Sequence, residues 1–316
     1  MSAPAAAKTA HAAPAPVPDS VGIDVSIYQP KIDWKKVALT ADFAFIKATE
    51  GTSRVDTSFA GNWQSAKSSG VLRAAYHFFH GDMDGAKQAT HFLSIMGSLE
   101  DTDLPPIIDL EHAKKGEKSN TLSKNVSDWI QTVEAATKRK PMIYVSPGFW
   151  NEHMASRTDS FPYGNYPLWV ANYGVHKPGL PHDGTWIDWT FWQYSGSGTY
   201  AGVHGKVDLD KFNGNVLDLW LFLGKSEPTF SDPGRMINCW SDLFFSFVGH
   251  ELDQAAGSIP SKPSKAPTTY VVKPGDTTAT IASKLHVRAQ DLAQANGLPN
   301  LNTIRIGQVL KIPAKR

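Results

Sequence analysis

The sequence predicts an α/β fold: an irregular TIM-like (β/α)5(β)3 barrel followed by a small α+β (βααβ) module. Three observations carry that expectation. Between Val21 and about Gly224, apolar strand-like runs alternate with segments of helical spacing, the pattern of a parallel barrel or doubly wound sheet. Eight strand-like runs occur in this stretch. Helical spacing fills the gaps only among the first five, and Gly/Pro-rich loops join the last three, which favours an irregular barrel.

The strand-like runs are 22–26, 43–49, 72–79, 106–111, 141–146, 168–173, 189–194 and 206–212. The clearest helix is 124–138, where Val126, Trp129, Ile130, Val133 and Ala136 form one apolar stripe. Segments 33–39, 59–68 and 85–96 fill the other gaps, and Gly70 is placed to end the second of these. In such barrels the reactive groups gather at the C-terminal ends of the strands. Polar and aromatic side chains recur there: Asp24, Glu50, Tyr76, His77, Asp109, Glu111, Tyr144, Trp169, Asn172, Tyr173, Trp192, Gln193 and Asp208.

The sharpest chemical signal is Ile107-Ile108-Asp109-Leu110-Glu111, an apolar run that ends in two carboxylates two residues apart. Side chains alternate along a strand, so Asp109 and Glu111 emerge on one face. Adjacent carboxylates repel, and one pKa rises until that group keeps its proton. A proton donor beside a charged carboxylate is what cleavage of a glycosidic bond requires. A solvated strand end is the bland alternative, and the repetition of polar groups at the other strand ends argues against it. Tyr76, Tyr144, Trp169, Tyr173 and Trp192 are candidates to stack on sugar rings. His77 reads equally as a packed, hydrogen-bonded histidine or as a site residue. For Lys47 and Glu50 the bland reading is an ion pair at the barrel rim.

The 316 residues carry a net charge of only +1, which argues against a nucleic-acid partner. Aromatics make up 11% of the chain, with ten Trp, enough for sugar-stacking surfaces. The single Cys239 excludes an intrachain disulfide and fits folding in a reducing cytoplasm. The eleven His show no metal-ligand spacing, and no glycine-rich phosphate loop occurs, so no metal and no cofactor are expected. Residues 1–20 read as a disordered Ala/Pro-rich leader without the apolar core of a cleavable signal peptide. No apolar run is long enough to span a bilayer, so stable membrane insertion is not expected. The catalytic barrel is assigned to 21–224, a helical extension to 225–256 and a Pro/Ser linker to 257–269. Residues 270–316 form a compact unit whose small core suits a ligand-binding accessory.

Residues 21 to about 214 resemble the family 25 glycoside hydrolases, the Chalaropsis-type lysozymes. The matching segments are 22–26 (GIDVS), 43–51 (FAFIKATEG), 75–78 (AYHF), 108–111 (IDLE), 141–144 (PMIY), 167–171 (PLWVA), 191–194 (FWQY) and 207–214 (VDLDKFNG). Asp210 stands where that family often has Asn, so Asp208 is taken as the active-site carboxylate and Asp210 as its neighbour. Residues 270–313 resemble a LysM module, opening with Tyr270-Val-Val-Lys-Pro-Gly-Asp-Thr277 and closing with Gly307-Gln-Val-Leu-Lys-Ile-Pro313. Thr278 occupies a position that is usually Leu.

The resemblance implies a flattened barrel of eight strands and about five helices, and a muramidase that cuts the β-1,4 bond between N-acetylmuramic acid and N-acetylglucosamine in bacterial peptidoglycan. It implies Glu111 as general acid/base and Asp109 as the group assisting the substrate N-acetyl oxygen, with Asp24 and Asp208 nearby. A covalent nucleophile among Asp109, Asp24 and Asp208 is the rival mechanism. Tyr76, Tyr144, Trp169, Asn172, Tyr173, Gln193 and Glu50 would bind substrate, and Gly275, Asp276, Thr277, Leu298 and Asn300 would line the LysM glycan groove. The expected partner is the peptidoglycan glycan strand, and the expected state a monomer. The protein is expected to be made in the cytoplasm and to act at the wall after holin release, as a phage endolysin. An effector delivered by a secretion machine and a wall-binding protein without activity are the other two readings.

Overall fold

The computed structural model describes residues 19–225 and, beyond them, 269–272, 278–285, 292–293, 295–298, 304 and 308–312. The expected helical extension and linker, apart from their outermost residues, and Cys239 lie outside the described residues, as do positions 1–18 of the leader. Among the described residues, 19–215 form one compact unit, and 216–225 group with the residues from 269 onward in a second. The larger unit is a closed barrel. Its strands are β1 (Val21–Val25), β2 (Phe43–Glu50), β3 (Arg54–Val55), β4 (Leu72–Phe78), β5 (Ile107–Asp109), β6 (Met142–Val145), β7 (Leu168–Ala171), β8 (Phe191–Gly198) and β9 (Val207–Phe212).

The ring runs β1-β9-β8-β7-β6-β5-β4-β2 and closes where β2 pairs with β1; β3 is a short flap on the end of β2. Each of the eight strand-like runs thus supplies one strand of the ring. Neighbours in the ring are parallel except at β9, which runs antiparallel to both β8 and β1. This reversal changes how Asp208 reaches the site. Asp208 lies at the beginning of β9, and only because that strand is inverted does its beginning share a mouth with the ends of the other seven.

Helices α1 (Trp34–Val37), α2 (Phe59–Ser68), α3 (Gly85–Met96), α4 (Ser119–Thr137) and α5 (Pro147–His153) cover the outer face. The outward residues of the strands, such as Ile46, Ala75, Ile108, Ile143 and Val170, share one buried core with Phe92, Trp129, Ile130 and Val133 of the helices. Asp84 caps α3 by accepting from the backbone N–H of Lys87 at 2.9 Å. The residue after the cap matters as much: a Cβ on Gly85 would lie 1.8 Å from the Asn125 carbonyl oxygen, so α3 and α4 approach there only through a glycine. Gly70 follows α2 with φ of +76°, as expected of a helix stop.

Helix α5 has no counterpart in the sequence pattern. Its first turn reads Ser146-Pro147-Gly148, which resembles a loop, yet Ser146 Oγ accepts from the Phe149 N–H at 3.1 Å and Pro147 occupies the first turn. The two readings of His77 resolve in favour of packing. It is fully buried between Thr49 Oγ1 at 2.7 Å and Gln88 Oε1 at 3.2 Å, and stacks on Trp129 with centroids 5.8 Å apart.

In the smaller unit β10 (Thr269–Val271) pairs antiparallel with β11 (Val309–Lys311). Val272, Ile281, Ala282, Leu292 and Leu310 form its core, with Leu221 of α6 (Val216–Phe222) packed against it. Helix α7 (Thr278–Leu285) supplies Ile281 and Ala282. Thr278 is fully buried and its hydroxyl has no hydrogen-bond partner among the described residues.

Candidate active site

Strand alternation sorts the barrel lumen into layers. Phe43, Phe45, Phe191 and Phe212 fill its lower half, each ring centroid 5.0–5.1 Å from a neighbour. Trp169 closes this plug, 4.4 Å from Phe45 and 4.3 Å from Tyr144. The apolar plug turns the upper lumen into a blind cleft whose floor excludes water. Register then places carboxylates on that floor. Asp24 sits opposite Asp208 across β1 and β9, and Asp210 sits opposite Gln193 across β9 and β8.

Gln193 organises the floor. Its Nε2 donates to Asp24 Oδ2 at 2.7 Å, while its Oε1 accepts from the hydroxyls of Tyr144 at 2.8 Å and Tyr173 at 2.5 Å. Trp169 Nε1 donates to Asp210 Oδ1 at 2.8 Å. On the facing wall Asp109 is flanked in register by Phe78 and Tyr144, and its Oδ1 is buried with no hydrogen-bond partner among the described residues. Glu111 lies just past the strand. The Leu110 N–H still reaches the Tyr144 carbonyl at 2.9 Å, after which the chain leaves the ladder and exposes Glu111 at the mouth.

The electrostatics follow from this burial. Burial, and then the charges of Asp210 and Asp208, push the Asp24 carboxyl well above the ordinary range. Burial and the neighbouring Glu111 do the same to Asp109. Partial desolvation raises Glu111, with Asp208 adding to the effect and the Lys47 ammonium opposing it. Asp208, half-buried at the rim, is raised by desolvation. Tyr144 is pushed up by burial and by Asp109, so its hydroxyl stays a neutral donor. The cleft is an acidic pocket in which several carboxyls hold protons more tightly than in water.

Asp24, Asp109, Glu111, Asp208, Tyr76, Tyr144, Tyr173 and Gln193 thus converge on one cleft, and other expected residues serve it differently. Trp169 is 2% exposed and lies beneath the carboxylates, so no sugar ring can stack on it. Trp192 faces outward, where its Nε1 donates to the Asn172 carbonyl at 2.7 Å; alternation puts it on the face opposite Gln193. Asn172 Oδ1 accepts from the Gly179 N–H at 2.8 Å and shapes the loop after β7. Glu50 is held by Lys47 at 2.9 Å, Arg54 at 2.9 Å and His80 at 3.2 Å. Burial opposes its ionisation, but the hydrogen bonds and charges of those partners keep its pKa low.

Tyr173, 51% exposed at the rim, is the aromatic with an open face. Gly275, Asp276, Thr277 and Asn300 lie outside the described residues, and Leu298 packs against the core of the smaller unit. Two participants are easily undervalued in the sequence. Lys47 is a charge at an inward position midway along β2, and Asp210 shares a face with Asp208; alternation marks both. Among the described residues no cluster of His, Cys, Asp and Glu is arranged to hold a metal ion.

Comparison with known proteins gives the same picture. Residues 23–203 match the family described as Glycosyl hydrolases family 25, and residues 270–313 match the LysM domain. Lysozyme M1 of Streptomyces globisporus is 38% identical over 207 residues, covering 63% of this chain and 69% of that protein. The N,O-diacetylmuramidase of a Chalaropsis species is 33% identical over 204 residues, 59% of this chain and 95% of the relative. A bacterial lysozyme structure from Streptomyces coelicolor superposes with a TM-score of 0.60 at 33% identity, covering 66% of this chain and 99% of that one. With the barrel, the carboxylate-lined cleft and the match over most of the larger unit in agreement, this chain belongs to family 25 of the glycosyl hydrolases and carries a LysM domain after the barrel.

Proposed function

We propose that the protein is a peptidoglycan hydrolase that cuts the β-1,4 bond between N-acetylmuramic acid and N-acetylglucosamine, with Glu111 as general acid and then base. The observation that carries this reading is the Asp109–Glu111 pair at the end of β5: one carboxyl buried, the other open to the cleft, both with raised pKa. Such a pair titrates as a unit and keeps a proton where isolated carboxylates would lose it. Asp109 Oδ1 lacks a donor, and the N–H of a substrate N-acetyl group is the donor that fits. Once that N–H stabilises ionised Asp109, the proton of the pair belongs on Glu111, nearer the leaving oxygen.

The reaction then runs in two steps. Glu111 gives its proton to the glycosidic oxygen as the bond to the anomeric carbon breaks and the substrate's own N-acetyl oxygen closes on that carbon. Water next attacks the same carbon, reopens the ring and gives its proton to the Glu111 carboxylate, which restores the enzyme. Asp109, Asp24 and Asp208 oppose the positive charge that develops at the anomeric centre, and the water-poor floor strengthens their effect. The LysM domain would hold the enzyme on the glycan and raise local substrate concentration without adding contacts to the cleft. The site of action on this reading is the bacterial cell wall.

The test is digestion of purified peptidoglycan by the wild type and by Glu111→Gln, borohydride reduction of the new ends, and mass spectrometry. Muramitol ends from the wild type, reduced on the order of 10²- to 10⁴-fold in the variant, are the expected result for loss of a general acid. Glucosaminitol ends would overturn the bond assignment. Equal release by both proteins would overturn the role of Glu111.

A further inference from the structure

Asp210 is a fully buried carboxyl that the scheme above does not use. Its surroundings define what it does. Trp169 Nε1 occupies Oδ1 at 2.8 Å, and among the described residues no N–H or hydroxyl donor reaches the buried Oδ2. Across the β1–β9 register its inward-facing diagonal neighbour is the Asp24 carboxyl, another buried acid, and the two interact directly, as Asp208 also does with Asp24. Two ionised carboxylates cannot occupy that contact: the repulsion is undiluted by water, and neither oxygen brings a hydrogen. A single proton between them removes both objections, satisfying Oδ2 and one charge at once.

We propose that Asp24 and Asp210 share one proton beneath the cleft, which makes Asp210 the positioning residue for Asp24. The inference goes beyond the hydrolytic reading, although its activity arm rests on that reading. The groups around the pair are identifiable. Asp208 on β9 is the third carboxyl facing Asp24; Gln193 on β8 donates to Asp24 Oδ2 at 2.7 Å; Tyr76 on β4 faces Asp24 as a neutral hydroxyl raised first by burial and then by that charge. Among the described residues, the groups that act most strongly on either member include no cation. Protonation is therefore the means by which this floor limits its charge, and the shared hydrogen bond fixes the Asp24 carboxyl between Gln193 on one side and Asp210 on the other.

Asparagine at 210 keeps a hydrogen-bond donor toward Asp24 without a titrating proton, whereas leucine removes the contact. Aspartate-selective carboxyl 13C labelling of the full chain, with Asp24→Asn and Asp210→Asn used to assign the two resonances, reads the pair directly. In the wild type both resonances should move together in two steps, the upper step well above the ordinary aspartate range. In Asp210→Asn the upper step should vanish and Asp24 should titrate once, at lower pH. Against peptidoglycan, Asp210→Asn should retain on the order of tenfold or more activity over Asp210→Leu, the size expected for losing a hydrogen bond to a charged group. An Asp24 titration unaffected by Asp210→Asn, or an Asp210 resonance that titrates alone, overturns the proposal. The carboxyl titration holds whichever glycosidic bond the enzyme cuts, so failure of the hydrolytic reading stays distinguishable from failure of the pair.

Discussion

Replacing Gln193 by leucine removes one amide from the cleft and breaks its hydrogen bonds to Asp24, Tyr144 and Tyr173 at once. Gln193 is 3% exposed, so the groups it leaves behind cannot all turn to water. Asp24 Oδ2 loses a donor at 2.7 Å, a bond to a charged or proton-sharing group that contributes about 1.5–3 kcal/mol. The Tyr144 hydroxyl, on a side chain 6% exposed, loses its acceptor at a cost of about 1–3 kcal/mol. Tyr173 is 51% exposed and exchanges its bond for water at almost no cost. Leucine fills most of the volume and returns about 1–2 kcal/mol of apolar burial. The net expectation is a loss of about 3 kcal/mol in unfolding free energy. The assay is urea unfolding followed by tryptophan fluorescence, with a lower midpoint at unchanged slope. A double-mutant cycle sharpens it, because Tyr144→Phe should cost much less in the Gln193→Leu background than in the wild type. A stability within about 0.5 kcal/mol of wild type, or strict additivity in the cycle, would refute Gln193 as the bridge between the tyrosines and Asp24.

Two further outcomes test the physical account. Burial holds His77 at a pKa of about 3, far below its ordinary value, so the folded state keeps it neutral. Because the folded pKa is depressed, its contribution is intact above about pH 6.5 and is lost as pH falls toward about 3, at up to roughly 1.4 kcal/mol per pH unit; unfolding of His77→Gln against pH should show a flatter acid limb than the wild type. Thr278→Val should stabilise the smaller unit by about 1 kcal/mol, since it removes a buried hydroxyl that has no partner among the described residues, at nearly constant shape; equal or lower thermal stability of the variant would mean that the hydroxyl is satisfied after all.

Much of the cleft is legible in the sequence. A carboxylate pair at the end of an apolar run identifies Asp109 and Glu111, because strand periodicity is a local property. Gln193 and Tyr144 are likewise marked by their places near strand ends. Where the sequence misleads, it misleads about face. Trp169 and Trp192 both sit near strand ends, yet one lies under the carboxylates and the other on the outside of the barrel. Rank along a strand says how high a residue sits in the lumen; the neighbours across the sheet say what is above it. Helix α5 escapes notice because Pro147 and Gly148 at its start carry the composition of a loop.

What the sequence by itself determined is the strand and helix order, the chemistry available at the mouth and the family to which the barrel belongs. Those are written in periodicity, turn residues and short motifs, each spanning a few positions. Only the tertiary structure decided which carboxyls touch. Asp24 and Asp208 belong to the first and last strands of the barrel and become register partners because β9 enters the ring inverted and closes it against β1. The same closure buries Asp24 and Asp210 together and sets their protons, since a pKa depends on every charge and every water excluded within a few ångströms. No local pattern contains that sum, which exists only once the barrel is shut.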